Sequence, residues 1–146
     1  MDRSIGWVIA AAAMIAACGG SSSPTAPSAN VPYTATELRV GTGAEAVNGR
    51  TVTVNYTGWL YDAGAAGNKG RQFDSSLSPG RTPLVFLLGA GGIIGGFERG
   101  VQGMRVGGQR SVILPPELAY GSRGTNDGVI PPNATLIFDL ELLNVQ

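Results

Sequence analysis

Histidine is absent from these 146 residues, and cysteine occurs once, at position 18. Those two shortages exclude a Ser-His-Asp triad, a Cys-His pair and a zinc site built from Cys and His. Any chemistry done here works without imidazole, and no cofactor or metal is expected. Charge is scarce too: 14% of residues are Asp, Glu, Lys or Arg, ten acidic against ten basic. A chain of zero formal charge lacks the positive footprint of a nucleic-acid binder. What is plentiful is glycine, at 23 residues, with nine prolines beside it, so the chain turns often. An apolar fraction of 43% is still ample for one core, and the length fits one domain plus an appendage.

The appendage is the N-terminus. Arg3 gives a weakly positive start, and Ile5 to Ala17 is a run of thirteen apolar or glycine residues. That run is too short to span a bilayer and matches the apolar region of a signal peptide at residues 1–17. It ends Ile15-Ala16-Ala17-Cys18, which resembles the bacterial lipobox, whose cysteine is acylated and becomes the mature N-terminus. Residues 18–32 then form a tether rich in Gly, Ser and Pro, in which Gly19 to Asn30 reach about 20 Å root-mean-square. The lipobox resemblance implies a lipid anchor in a bacterial cell envelope. Gly19 is not the aspartate that retains such proteins at the inner membrane, so a periplasm-facing outer-membrane address is expected.

Residues 33–146 read as strands and turns around one exception. In Gly89 to Met104, Ile94, Phe97, Val101 and Met104 recur at steps of three and four, one face of a helix. A helix this short is unstable alone and must lay that face on a sheet. Val52, Val54 and Tyr56 alternate after the Asn48-Gly49 turn, and Leu84 to Leu88 reads as a fully buried strand from its unbroken apolar run. Gln109 to Leu114 is a strand stopped by Pro115-Pro116. The last strand alternates Leu136, Phe138, Leu140 and Leu142, with Asp139 and Glu141 on a solvated face. The expected fold is α+β: a curved antiparallel sheet, a half-barrel, wrapped around one short α-helix.

Two motifs mislead. Gly89-Ala90-Gly91-Gly92 sits where phosphate loops sit, yet position 94 is isoleucine rather than glycine and no Gly-Lys-Ser/Thr follows. The sequons at Asn55 and Asn133 are chance matches behind a lipobox.

In order along the chain come Val54-Asn55-Tyr56-Thr57-Gly58, Phe73-Asp74-Ser75-Ser76, Phe86-Leu87-Leu88-Gly89, Val101-Gln102-Gly103-Met104, Ala119-Tyr120-Gly121 and Ile130 through Leu142. This series resembles the FKBP-type peptidyl-prolyl isomerases and covers nearly all of residues 33–146. The resemblance implies an apolar cleft between sheet and helix, lined by Tyr56, Phe73, Leu84, Phe86, Phe97 and Phe138. Ile93 and Ile94 close one side, and Val129 and Ile130 belong to a loop overhanging it. Tyr120 through its hydroxyl and Ile94 through its backbone N–H would hold substrate carbonyls, with Asp74 at the polar rim. Implied partners are proline-containing polypeptides and macrolide inhibitors, and a monomer is expected. Such catalysis needs no nucleophile, proton shuttle or metal, only a site that binds the twisted amide better than either planar form. A chain without histidine can therefore still be an enzyme. A binding module or holdase that uses the same cleft without turnover stands as the alternative.

The chain also departs from the family pattern. Leu84 stands where a second phenylalanine is frequent, Phe97 where tryptophan is common, and Gly92 where a larger residue is usual. The 62–70 loop is long, and the 121–128 loop carries Asn126-Asp127 in place of an aromatic. These differences bear on macrolide affinity and substrate preference.

Overall fold

The computed structural model describes residues 31–146; the signal peptide, Cys18 and the tether up to residue 30 lie outside the described residues. Six strands form one antiparallel sheet: β1 (Thr34–Arg39), β2 (Thr51–Tyr61), β3 (Lys69–Ser75), β4 (Leu84–Leu87), β5 (Gln109–Leu114) and β6 (Leu136–Val145). Their order is β1-β5-β6-β2-β3, with β4 also on β2. β2 is the spine. β6 pairs with it from Val52 to Leu60, while on its other edge β4 takes Thr51–Val54 and β3 takes Thr57–Tyr61. The helix α1 (Gly95–Val101) lies in the concavity against β5 and β6. The expected curved sheet on one short helix is the observed fold. Among the described residues no helix is long and apolar enough to cross a membrane.

The inward face is the alternating set. Val52, Val54, Leu136, Phe138, Leu140 and Leu142 are all buried, as are Phe97, Val101 and Met104. The helical period holds, but the helix is shorter than the apolar spacing: Ile94 is its N-cap, and Met104 lies past its C-terminal turn. Two close approaches set how the helix sits. A Cβ on Gly96 would meet Leu114 Cγ at 2.4 Å, and one on Gly100 would meet Val112 and Leu140 near 3.0 and 3.1 Å. Arg110 of β5 donates to the carbonyls of Gly100 and Gln102, both at 2.9 Å, satisfying the helix end and placing a cation at its negative pole.

Gly58 breaks the run of side chains in the middle of β2 for a similar reason. A Cβ there would lie 2.5 Å from Phe73 Cζ and 2.7 Å from Phe138 Cε1. Gly58→Ala is expected to cost about 1–3 kcal/mol through overpacking. Because the displaced rings are Phe73 and Phe138, isomerase activity should fall with it. Chemical denaturation and a peptide isomerisation assay on one preparation check both, and an unchanged pair would mean the rings have room to give.

One strand differs from expectation. β4 is not fully buried: Val85 is 59% exposed and Leu87 49%, while Leu84 and Phe86 point inward. It is an edge strand whose outer face meets solvent, and its apolar run reflects something other than burial on both sides. On β6, Asp139 and Glu141 do occupy the outer face, half-buried and paired. Lys69 Nζ lies 2.6 Å from Asp139, and Gln109 Nε2 donates to Glu141 at 2.8 Å.

Candidate functional site

A cleft of about 480 Å³ opens between the sheet and the start of α1. Phe97, third residue of the seven in α1, rises from the helix to form its floor. Its ring meets Tyr56 at 5.6 Å, Phe138 at 5.3 Å and Phe86 at 6.0 Å between centroids, all edge-on. Phe73 meets Phe138 in the same way at 5.5 Å, so five rings interlock in edge-to-face contacts. Such packing fixes a concave apolar surface that cannot collapse into its own space.

The polar rim is as ordered as the floor. Tyr56 donates its hydroxyl to Asp74 Oδ2 at 2.7 Å, and Ser75 donates its N–H to Asp74 Oδ1 at 2.9 Å. Arg81 Nη2 lies 2.9 Å from Asp74 Oδ1 and 3.3 Å from the Tyr56 hydroxyl. The two serines explain the local bend. Ser75 Oγ bonds Thr57 Oγ1 at 2.9 Å, and Ser76 Oγ accepts the Tyr56 N–H at 2.9 Å, locking the β3 end to β2. Burial, then the Asp74 carboxylate that accepts its proton, pushes the Tyr56 phenol above its usual range.

Tyr120 faces this rim across the opening, 39% exposed, and makes no side-chain hydrogen bond to another described residue. Burial raises its phenol too, with the charges of Asp74 and Asp127 adding to the effect. The hydroxyl therefore stays a donor at any neutral pH. Asp127 belongs to a loop that staples itself: Thr125 donates its hydroxyl to Asp127 at 2.6 Å, and the Val129 N–H follows at 3.0 Å. Those bonds, the threonine's first, hold the Asp127 carboxyl below its usual range. At the helix start the Ile94 N–H donates to no described residue, whereas its carbonyl accepts from Phe97 and Glu98 at 3.1 and 3.2 Å. The cleft thus joins an apolar floor to two lining residues, Tyr120 and Ile94, whose hydroxyl and N–H no described residue occupies.

Of the residues expected here, Tyr56, Phe73, Asp74, Leu84, Ile93, Ile94, Phe97, Tyr120 and Phe138 all line the cleft. Three do not. Phe86 is half-buried, edge-on against Phe97, and Ile130 is a core residue, 3% exposed, its N–H bonded to Thr125 Oγ1 at 2.9 Å. Val129 packs half-buried against the core, its carbonyl held by Arg71 at 2.7 Å. Two contributors went unforeseen: Gly91 joins Gly92 in the wall, and Arg81 clamps Asp74. A turn closed by the Arg81 N–H on the Ser78 carbonyl at 3.0 Å folds Arg81 back toward residue 74.

Comparison with known proteins gives a consistent picture. Residues 43–143 match the family model described as FKBP-type peptidyl-prolyl cis-trans isomerase. An FK506-binding protein of Neisseria meningitidis serogroup A is 50% identical over 109 residues, covering 75% of this chain and 92% of its own. FK506-binding protein 1 of Aspergillus oryzae is 44% identical over 108 residues, covering 73% and 91%. Among solved structures, that of AtFKBP13 aligns with a TM-score of 0.67 at 36% identity, over 78% of this chain and 93% of that one. FkpA from Escherichia coli aligns at 0.66 and 38% identity, over 80% of this chain and 49% of that one.

Proposed function

The chain belongs to the FKBP-type peptidyl-prolyl cis-trans isomerase family and is such an isomerase; from that premise we propose that it accelerates rotation about Xaa-Pro bonds of exported polypeptides while tethered to a bacterial envelope through acylated Cys18. A peptide bond resists twisting by about 18–20 kcal/mol because rotation breaks its resonance. At the top of that barrier the amide has lost its charge separation and tolerates an apolar surround better than the planar forms do. The aromatic floor at Phe97 and its neighbours is such a surround. The Tyr120 hydroxyl and the Ile94 N–H hold the carbonyls on either side of the turning bond, so rotation proceeds against fixed ends. Asp74, clamped by Arg81, keeps Tyr56 in place at the rim. The single observation that carries this reading is the interlocked aromatic cleft with two free donors at its mouth. The same surface fits macrolides of the kind that name the FK506-binding relatives.

The test is cis-to-trans relaxation of Xaa-Pro peptides with the purified chain, beside Tyr120→Phe. The parent is expected to accelerate relaxation most with a bulky apolar residue before proline. Tyr120→Phe should lower kcat/KM by about fivefold, one hydrogen bond's worth. A folded parent that gives only the uncatalysed rate sinks the catalytic reading and leaves a proline-binding holdase.

A flat pH profile is a second expectation. No residue that lines the cleft has an ordinary pKa near neutrality, so kcat/KM should not change between about pH 6 and about pH 9. The Tyr120 phenol is raised in the folded protein, burial first, so its hydroxyl stays a donor until pH rises through that raised value. Activity should therefore decline on the alkaline side alone. A bell-shaped profile centred near neutrality would contradict a mechanism free of proton transfer.

A further inference from the structure

We propose that the free edge of β4 extends the cleft into a second subsite, which takes an extended stretch of the substrate polypeptide as an added β-strand. The inference rests on the isomerase reading, since the occupant is the chain whose proline sits in the cleft. Three observations point to it. First, a depression of about 340 Å³ adjoins the cleft, with Tyr56 and Leu84 common to both and Arg81, Pro83 and Val85 among its other walls. A polypeptide leaving the cleft over Leu84 enters it directly.

Second, β4 pairs with β2 alone. The Leu88 N–H bonds the Arg50 carbonyl at 2.9 Å, and the register runs on through Phe86 opposite Val52 and Leu84 opposite Val54. Antiparallel ladders alternate hydrogen-bonded and non-bonded pairs. Leu84 and Phe86 therefore direct their peptide groups to β2, and Val85 directs its N–H and carbonyl outward to the open edge.

Third, the two edges of the sheet are treated differently. β1, at the far edge, carries Glu37 and Arg39 with a register break between them, the usual protection against pairing with a stranger. The β4 edge is short and reads Leu-Val-Phe-Leu, with no charge and no break in register; Pro83 ends its row of donors, so Val85, 59% exposed, is the first residue that offers an outward N–H. An uncharged apolar edge beside a polypeptide-binding cleft is a template for the addition of a short strand. The occupant's own conformation fits, because the residue before a proline is restricted to extended geometry. Its flanks thus leave the cleft already shaped as a strand.

The experiment uses the full chain and two substrates that share one Xaa-Pro core, a tetrapeptide and a dodecapeptide with extended apolar flanks. The longer peptide should show a kcat/KM about five- to tenfold higher, the worth of one or two added backbone hydrogen bonds. N-methylation of alternate residues in the longer peptide should erase that gain at one phase of the alternation and spare it at the other. Val85→Pro, which removes the outward donor at a position where edge strands tolerate proline, should bring the ratio of the two kcat/KM values down to about one. Should that variant fail to fold, the N-methyl series on the unaltered protein decides the matter alone. Equal turnover of both lengths, or indifference to N-methylation, overturns the subsite and leaves the isomerase standing. Absence of turnover on both peptides removes the isomerase reading and the subsite together.

Discussion

Phe97→Ala is expected to cost the domain about 3–5 kcal/mol of stability and to remove measurable isomerase activity. The ring is 4% exposed and is the point at which the helix meets the aromatic cluster, touching Tyr56, Phe86 and Phe138 edge-on. Deleting it forfeits the burial of a large apolar side chain and leaves a hole that three rigid rings cannot close together. The consequence reaches beyond that site, because α1 has only seven residues and depends on packing to exist. Phe97 and Val101 are its two large buried side chains, so losing one leaves the helix held mainly by the other. Denaturant midpoints for the parent, Phe97→Leu and Phe97→Ala should fall in that order, with activity lost ahead of folding in the leucine variant. A loss of stability under about 1 kcal/mol for the alanine variant would mean that the cluster repacks, and that the cleft floor is softer than its edge-on geometry implies.

The parts of the fold that were legible in the sequence are those where one face is buried and the other is not. Val52 and Val54, and the series Leu136 to Leu142, alternate because every second side chain enters the core, and Phe97 to Met104 repeats at helical steps for the same reason. Where burial does not alternate, the pattern goes silent. All six residues of β1 are exposed, so no apolar alternation marks it as a strand. β4 misled in the opposite sense: its unbroken apolar run suggested burial on both faces, whereas Val85 and Leu87 face solvent. An apolar run cannot distinguish a strand covered by protein from one whose outer face is left open. At the site, the aromatics, Asp74 and Tyr120 were legible through the family resemblance of the motifs that carry them, not through any periodicity of their own. Arg81 was not, because its link to Asp74 is made across a turn and follows no periodicity. Ile130 and Phe86 were placed one layer too far out. Ile130 is 3% exposed, with its N–H held by the Thr125 hydroxyl, and Phe86 is half-buried, edge-on against Phe97.

Asp74→Ala is expected to lower kcat/KM by about tenfold or more while costing only about 1 kcal/mol of stability, a separation that assigns the residue to the reaction rather than to the fold. The stability cost is small because the pair with Arg81 is open to water, at 36% and 51% side-chain exposure, and exposed ion pairs contribute little. The catalytic cost is larger because three groups lose their common anchor at once. Tyr56 no longer has the acceptor 2.7 Å from its hydroxyl, the Ser75 N–H loses its partner, and the Arg81 guanidinium is left uncompensated beside an apolar cleft. An uncompensated cation draws water toward the rim and favours the planar, charge-separated amide over the twisted one. Asp74→Asn tells these effects apart. It keeps an acceptor for Tyr56 and removes the charge, so an activity near that of the parent means that Asp74 acts by holding the Tyr56 ring. An activity near that of the alanine variant means that its charge matters, through Arg81. If both substitutions lose stability in proportion to activity, Asp74 is a structural clamp only, and the two free donors at Tyr120 and Ile94 must hold the turning bond without it.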